Sequence, residues 1–294
     1  MDKIRTLLDK LKDIPAFPKG AIEFLKLVQN PKVSIKQIGA FIEKDPVLAA
    51  KILKLSNSSY YSRGLEIKTI GQAVSLLGMN TIKNIVISMS IIKMFPLKVG
   101  GKSFDRILFW HHSTATAYIA NYLSKKFNLA NPEEVYTAAL LHDVGKILMN
   151  QFFPEEYNKV VSLAVKEEKD YMDIEKDIFE LNHSEFGYEV AKKWAMPSNI
   201  REVIRYHHNI NENIKNRLIV AVVGFANLFS KQIGYNFPWE YKPLIVKENP
   251  FWKIMCEKNR KLSEIDEEYF TFEMMDLKPK IEEILNIASE EKNG

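Results

Sequence analysis

The sequence predicts an all-α protein, and three observations carry that reading. Apolar residues recur at helical spacing along nearly the whole chain. Helix punctuation is dense, with Ser, Thr, Asp or Asn ahead of apolar runs and Pro or Gly behind them. Strand-like alternation is absent apart from Glu66-Ile67. Ile4, Leu7, Leu8 and Leu11 share one helical face, and Pro15 and Pro18 then break the chain. Residues 21–28 form a second helix, stopped at Asn30-Pro31. Ser34 caps a helix bearing Ile35, Ile38, Phe41 and Ile42. Asp45 caps the next, with Pro46 at its first position, where a missing N–H costs nothing; it runs through Ile52 to Leu55. Residues 57–64 read as a loop rich in Ser and Tyr. Thr69 caps a short helix ending at Gly78, and Asn80 caps another reaching Phe95. Residues 96–102 are a connector.

Longer helices follow at 104–127, 133–150, 155–168, 174–180, 184–194, 199–208 and 212–233. Residues 234–250 are irregular, and the end returns to helix at 278–288. The connector divides the chain into an N-terminal helical subdomain, 1–100, and a histidine-bearing bundle, 101–233. An aromatic-rich helical extension, 234–294, completes it, and the first subdomain is expected to pack on the bundle.

Composition narrows the function classes. The chain has 294 residues, 46% hydrophobic and 27% charged, enough for a substantial core. No apolar run is long enough to cross a membrane, and the N-terminus lacks a secretory hydrophobic segment, so a cytoplasmic location without membrane insertion is expected. Cys256 is the single cysteine, which excludes an intrachain disulfide framework and a cysteine-based zinc cage. The net charge of +4 comes from 41 basic and 37 acidic residues mixed throughout, which gives nucleic-acid binding no support. Residues 34–55 have the outline of a helix-turn-helix. Their second helix, however, offers mainly Lys51 and Lys54, with no Arg, Asn or Gln for base edges.

All six histidines lie between 111 and 208. His142-Asp143 interrupts the apolar run Ala138 to Lys146, where adjacent ionisable groups are expected to be paired or to bind metal. On a continuous helix the two would stand about 100° apart. Imidazole with carboxylate suits first-row divalent ions such as Zn, Mn, Fe or Ni, one or two of them. His112 lies on an earlier helix, and His183, His207 and His208 lie on later ones; facing helices of a bundle can gather such ligands. Lys146, one turn after the doublet, can meet a phosphate oxygen. Plainer roles stay open: His142-Asp143 as a buried pair tying helices, His183 as part of a helix start with Ser184 and Glu185, His111 as a residue facing away, Lys146 as a solvated side chain.

This order of histidines resembles the HD superfamily of metal-dependent phosphohydrolases, and more specifically the HDOD family of bacterial HD-related output domains. The resemblance is carried by Ile14-Pro15-Ala16-Phe17-Pro18, by 44–53 and Asn57-Ser58-Ser59-Tyr60-Tyr61, and by Ala73 to Gly78. It continues in Trp110-His111-His112-Ser113, Leu140 to Lys146, His183 to Gly187, Trp194 to Pro197 and Ile204 to His208. It implies metal ligands at His112, His142, Asp143, His183, His207 and His208, with Asn227 where the superfamily places a last aspartate. One carboxylate among many imidazoles compensates two dications poorly. After His208 the chain reads Asn209-Ile210-Asn211, without the turn that the cyclic-dinucleotide hydrolases of the superfamily carry, and Leu108 stands where a further acid would precede His112. The resemblance therefore implies a bacterial signal-transduction module that binds a protein partner or small ligand without turnover. The alternative it implies is a metal-dependent phosphohydrolase acting on a nucleotide or cyclic dinucleotide. In that case Asp143 bridges two ions and Lys146 steadies phosphate.

Overall fold

The computed structural model describes residues 32–62, 66–79, 104–211, 213–236 and 243–289, with isolated positions before 32 and between 81 and 86. The helix expected at 4–11 and the connector at 96–102 lie outside the described residues, as do most of those expected at 21–28 and 80–95. Among the described residues the regular structure is entirely helical. No helix among them is long and apolar enough to cross a membrane. The chain divides into two compact units, Phe17–Pro96 with Asp276–Gly294, and Met1–Ala16 with Leu97–Met275.

In the smaller unit, α1 (Ile35–Ile42), α2 (Pro46–Ser56), the single turn α3 (Ser59–Ser62) and α4 (Ile70–Leu77) follow the caps read from the sequence. Ser34 with Gln37 and Thr69 with Gln72 form reciprocal capping boxes. The Asp45 side chain accepts the Leu48 N–H ahead of Pro46. Ile38, Ile42, Ile52, Leu55, Ile70 and Val74 fill the core between these helices. Asn57 fixes the polar stretch after α2: its amide donates to the Ile67 carbonyl at 2.7 Å and accepts the Ile67 N–H at 2.8 Å.

The larger unit is built on α5 (Arg106–Phe127), a 22-residue helix buried along most of its length. Asp105 caps its start, and Asn128 ends it in the left-handed conformation. It packs against α6 (Pro132–Leu141) and α12 (Arg217–Gln232). Between these come α7 (Val144–Phe152), α8 (Pro154–Glu167), α9 (Tyr171–Phe179), α10 (His183–Lys193) and α11 (Ser198–Tyr206). Helix α7 lies on α8 and α10, and α11 joins α6, α10 and α12. The segment α13 (Pro250–Lys258) and α14 (Glu267–Met275) close this unit, with Trp252 and Phe270 packed on Phe225 of α12. Tyr269 and Phe272 of the same aromatic group stay exposed. The last helix, α15 (Lys278–Ser289), packs on α2 in the smaller unit.

Two local expectations are corrected. The single helix expected over 133–150 is broken: His142 ends α6, and Asp143, at φ −99° and ψ 13°, starts α7. The His142 imidazole turns back onto the Ala139 carbonyl at 2.6 Å, competing for the last turn of α6. The doublet therefore sits at a corner rather than on one helical surface. The helix expected from 212 begins only at Arg217, because Glu202 holds the Asn216 N–H and side-chain amide at 2.7 and 2.9 Å, outside the helix.

Candidate metal centre

The corner between α6 and α7 brings five elements together. His112 comes from the middle of α5, His142 and Asp143 from the corner, His183 from the first residue of α10, and His207 and His208 from the end of α11. Glycine sets the closeness of approach. A Cβ on Gly145 would lie 1.9 Å from the His183 carbonyl oxygen, and one on Gly187 would lie 3.1 Å from the Gly145 nitrogen. Only bare backbone lets α7 and α10 touch, and that contact sets His183 against Asp143.

The imidazoles are oriented by acceptors. The Nδ1 of His112 lies 2.8 Å from the Tyr235 carbonyl. Those of His142 and His207 meet the final carbonyls of their own helices, Ala139 at 2.6 Å and Val203 and Ile204 at 3.1 Å. The Nδ1 of His183 lies 2.6 Å from the Glu175 carboxylate. A carbonyl or carboxylate can only accept, so each Nδ1 carries the hydrogen and each ring, when neutral, turns its Nε2 lone pair inward. There the Nε2 atoms of His112 and His142 stand 3.3 Å apart, and those of His183 and His207 each stand 3.2 Å from Asp143 Oδ1. Between neutral rings and the carboxylate these are acceptors facing acceptors, relieved at His183 by a proton on its Nε2 and at the others by a cation between them.

Asp143 shares in this arrangement by forgoing an ordinary one. Asp45, Asp105 and Asp170 all cap their helices through the side chain, but Asp143, in the same position on α7, makes no such bond. Its Oδ2 meets the Lys146 ammonium at 3.0 Å, with His142 Nε2 at 3.5 Å and His112 Nε2 at 3.7 Å. Burial pushes the Asp143 carboxyl up, but Lys146, then His142, then the adjoining His183 and His207 rings hold it well below the usual carboxylate range. Burial drives His142, His207 and His208 down, so these rings are neutral near pH 7. His183 goes the other way: burial opposes its charge, but Glu175 and Asp143 raise it to about 9.

These donors suit a metal ion. Asp143, His183, His207 and His208 form one set and His112, His142 and Asp143 another, the ligand atoms of each lying within 4.8 Å of one another. The separations of 3.2 Å to Asp143 Oδ1 and of 3.0 Å between the His183 and His208 Nε2 atoms are close to a tetrahedral edge. That edge is about 3.3 Å for metal–donor bonds of about 2.05 Å. Nitrogen-rich sets with a carboxylate favour Zn, Fe, Ni or Mn over Mg or Ca. Asn227, on α12, is buried with neither atom of its amide partnered by protein. Its backbone carbonyl accepts from Ser230 Oγ, which lies 3.2 Å from His112 Nδ1, so it stands one turn from the support of His112. Lys146 is 1% exposed with its ammonium on Asp143; the solvated side chain left open from the sequence is corrected to a buried counter-charge.

The shifts give the chelated protein a defined pH response. The His183 value of about 9 lies above its unfolded value of about 6.5, so its contribution is full below 6.5 and is lost as pH rises to 9. His142, His207 and His208, shifted down, cost stability only as pH falls below about 6.5. Urea unfolding of chelated protein should therefore show stability falling from pH 6.5 to 9, with a slope of up to about 1.4 kcal/mol per pH unit from this proton. Metal competes with that proton, so metal-loaded protein should be stabilised more strongly over the same window as pH rises. Parallel pH profiles with and without metal would contradict this account of His183.

Glu175 was not singled out from the sequence. It is fully buried, and its Oε2 accepts both the backbone N–H of His183 at 2.8 Å and the ring N–H at 2.6 Å. A signal existed: Tyr171, Glu175 and Phe179 follow the four-residue stripe of a buried helix face, and an acid in an apolar stripe needs a partner. The supports of His112, the Tyr235 carbonyl and Ser230, leave no comparable trace in the sequence.

Comparison with known proteins agrees with this architecture. The family model of the HDOD domain matches residues 14–210. An HDOD domain protein of Geobacter sulfurreducens has a crystal structure similar over 98% of this chain and 97% of its own, with 29% identity and a TM-score of 0.80. A protein of Shewanella amazonensis, provisionally described as a phosphohydrolase, shares the fold over 96% of this chain and 98% of its own, at 24% identity and a TM-score of 0.70. An uncharacterised protein of Treponema pallidum is 25% identical over 255 residues, which are 86% of this chain but 48% of that protein. The chain thus spans about half the length of that curated relative.

Proposed function

Because the chain belongs to the HDOD domain family, we propose that it is a signal-transduction module whose histidine centre takes a divalent metal. In this reading it works by binding a signalling protein or a small ligand, without turnover. Asp143 Oδ1, His183, His207 and His208 hold the first ion. His112, His142 and Asp143 would hold a weaker second ion, with the buried Asn227 amide as the further donor that the family resemblance implies.

One observation carries the choice of binding over hydrolysis. His112, His142, Asp143, His183 and His207 are each no more than 1% exposed, and Lys146 is spent on Asp143 at 3.0 Å. A hydrolytic metal keeps an open position for water and a route for substrate. Here only His208 of the ligand set is partly exposed, and the lysine that would meet phosphate is turned inward. The neutral Asn227 amide adds no charge toward a second dication. A solved structure from Marinobacter aquaeolei, provisionally described as a signal-transduction protein, shares the fold at 20% identity, a TM-score of 0.75 and 60% of its own length.

The two ligand sets share Asp143, the arrangement a bridging carboxylate would have, and this favours a second reading as a metal-dependent phosphohydrolase of a nucleotide or cyclic dinucleotide. A bound pair of ions would supply an activated water and neutralise phosphate charge. Thermal shift and product analysis separate the two readings. The binding reading expects added Mn, Fe or Zn to raise the melting temperature, with no phosphate or linear dinucleotide released by the metal-loaded chain. Metal-dependent release of either product would replace it with the hydrolase.

A further inference from the structure

We propose that Glu175 is a positioning residue for the metal centre. Its carboxylate locks His183 with Nε2 turned toward Asp143 and places a second negative charge behind the ion taken there. The inference rests on the metal-binding reading above and assigns a role to a residue outside both ligand sets.

The geometry is that of a carboxylate holding the far nitrogen of a ligating imidazole. Glu175 Oε2 takes the ring N–H of His183 at 2.6 Å and its backbone N–H at 2.8 Å, so both the ring and the chain that carries it are fixed. Glu175 Oε1 accepts the Tyr157 hydroxyl at 2.8 Å, which stops the carboxylate from turning away. Tyr157 and Glu175 are both fully buried. Helix capping alone does not account for this. The capping box at the start of α10 takes the Asn182 and Glu185 N–H groups and leaves the His183 N–H to Glu175, so capping explains that bond but not the second one, to the ring nitrogen. A sealed carboxylate is costly unless charge compensates it, and the ion pair that Glu175 makes is with His183. Once an ion has displaced the second ring proton of His183, Asp143 and Glu175 outweigh Lys146 by one negative charge, which compensates one dication in part and a second not at all. The His112 and His142 rings instead lean on carbonyls, which carry no net charge. The centre is therefore polarised toward His183.

Calorimetric titration of zinc into the full chain, stripped by chelation, tests this on wild type, Glu175→Gln and Tyr157→Phe. Gln preserves the shape and one acceptor but removes the charge. We expect Glu175→Gln to weaken the first ion about 10- to 100-fold, and Tyr157→Phe to weaken it less. The visible spectrum of the cobalt-loaded protein should also change in Glu175→Gln, as the His183 ring loses its fixed orientation. A merely structural Glu175 would lower the melting temperature of the stripped protein and leave zinc affinity and the cobalt spectrum as in wild type, which would overturn the proposal while leaving the metal centre standing. Wild type that takes up no zinc would remove both. If Glu175→Gln does not fold, Tyr157→Phe decides: weaker zinc binding supports the proposal, and unchanged affinity overturns it.

Discussion

Asp143→Asn should strip the centre of metal. Protein purified without chelators should retain less than about a tenth of the wild-type metal content, given the 10- to 100-fold losses seen even when groups outside the ligand shell are altered. Asp143 is the member common to both ligand sets, and its two oxygens face His183 and His207 on one side and His142, His112 and Lys146 on the other. Asparagine keeps the size and removes the charge that makes uptake of a dication favourable. It also leaves the Lys146 ammonium buried beside a neutral amide, and breaking a buried pair in this way costs about 3–5 kcal/mol. The double variant Asp143→Asn/Lys146→Met separates the two effects: stability should return in part, and metal should not. Elemental analysis and urea unfolding of the three proteins give the answer. Wild-type metal content in Asp143→Asn would show that the doublet only ties helices.

Gly145→Ala should be damaging through packing alone. The new methyl group would start 1.9 Å from the His183 carbonyl oxygen and 2.7 Å from its carbon, both backbone atoms that cannot swing aside. Helices α7 and α10 must separate, and overpacking of this kind costs about 1–3 kcal/mol or more. Because the same contact sets His183 against Asp143, metal affinity should fall with stability. Gly39→Ala is the control. Its Cβ would meet nothing closer than 3.9 Å, and Ala in a helix is favoured over Gly by about 0.5–1 kcal/mol. Chemical denaturation should therefore move in opposite directions for the two substitutions. A Gly145→Ala protein as stable as wild type would mean that the approach of α7 to α10 is looser than described.

Much of this was legible in the sequence because the relevant signals are local. Ser34 with Gln37, Thr69 with Gln72 and Asp45 ahead of Pro46 announce helix starts through bonds within three residues. The order of the histidines along the chain likewise marks the rings that converge. What stayed hidden depends on contacts distant in sequence. Residues 138–147 are apolar enough to read as unbroken helix, and nothing local says that His142 would rather bond the Ala139 carbonyl than continue it. Gly145 reads as a tolerated helix glycine until His183 is seen against it. Lys146 reads as a surface lysine, although its ammonium turns onto Asp143 and lies 5.6 Å from the centre of the Tyr171 ring. Glu175 is camouflaged by the charged run Asp173 to Asp177, where an acid is unremarkable unless its face is known to be buried.

The most direct measurement is an anomalous-scattering map from crystals of the full chain grown with manganese, iron or zinc. An ion within bonding reach of Asp143 Oδ1 and the Nε2 atoms of His183 and His207 is the predicted result. Protein equilibrated with each of the three metals and giving no anomalous peak among these atoms would contradict it, leaving the inward-facing lone pairs without the cation they are arranged to meet.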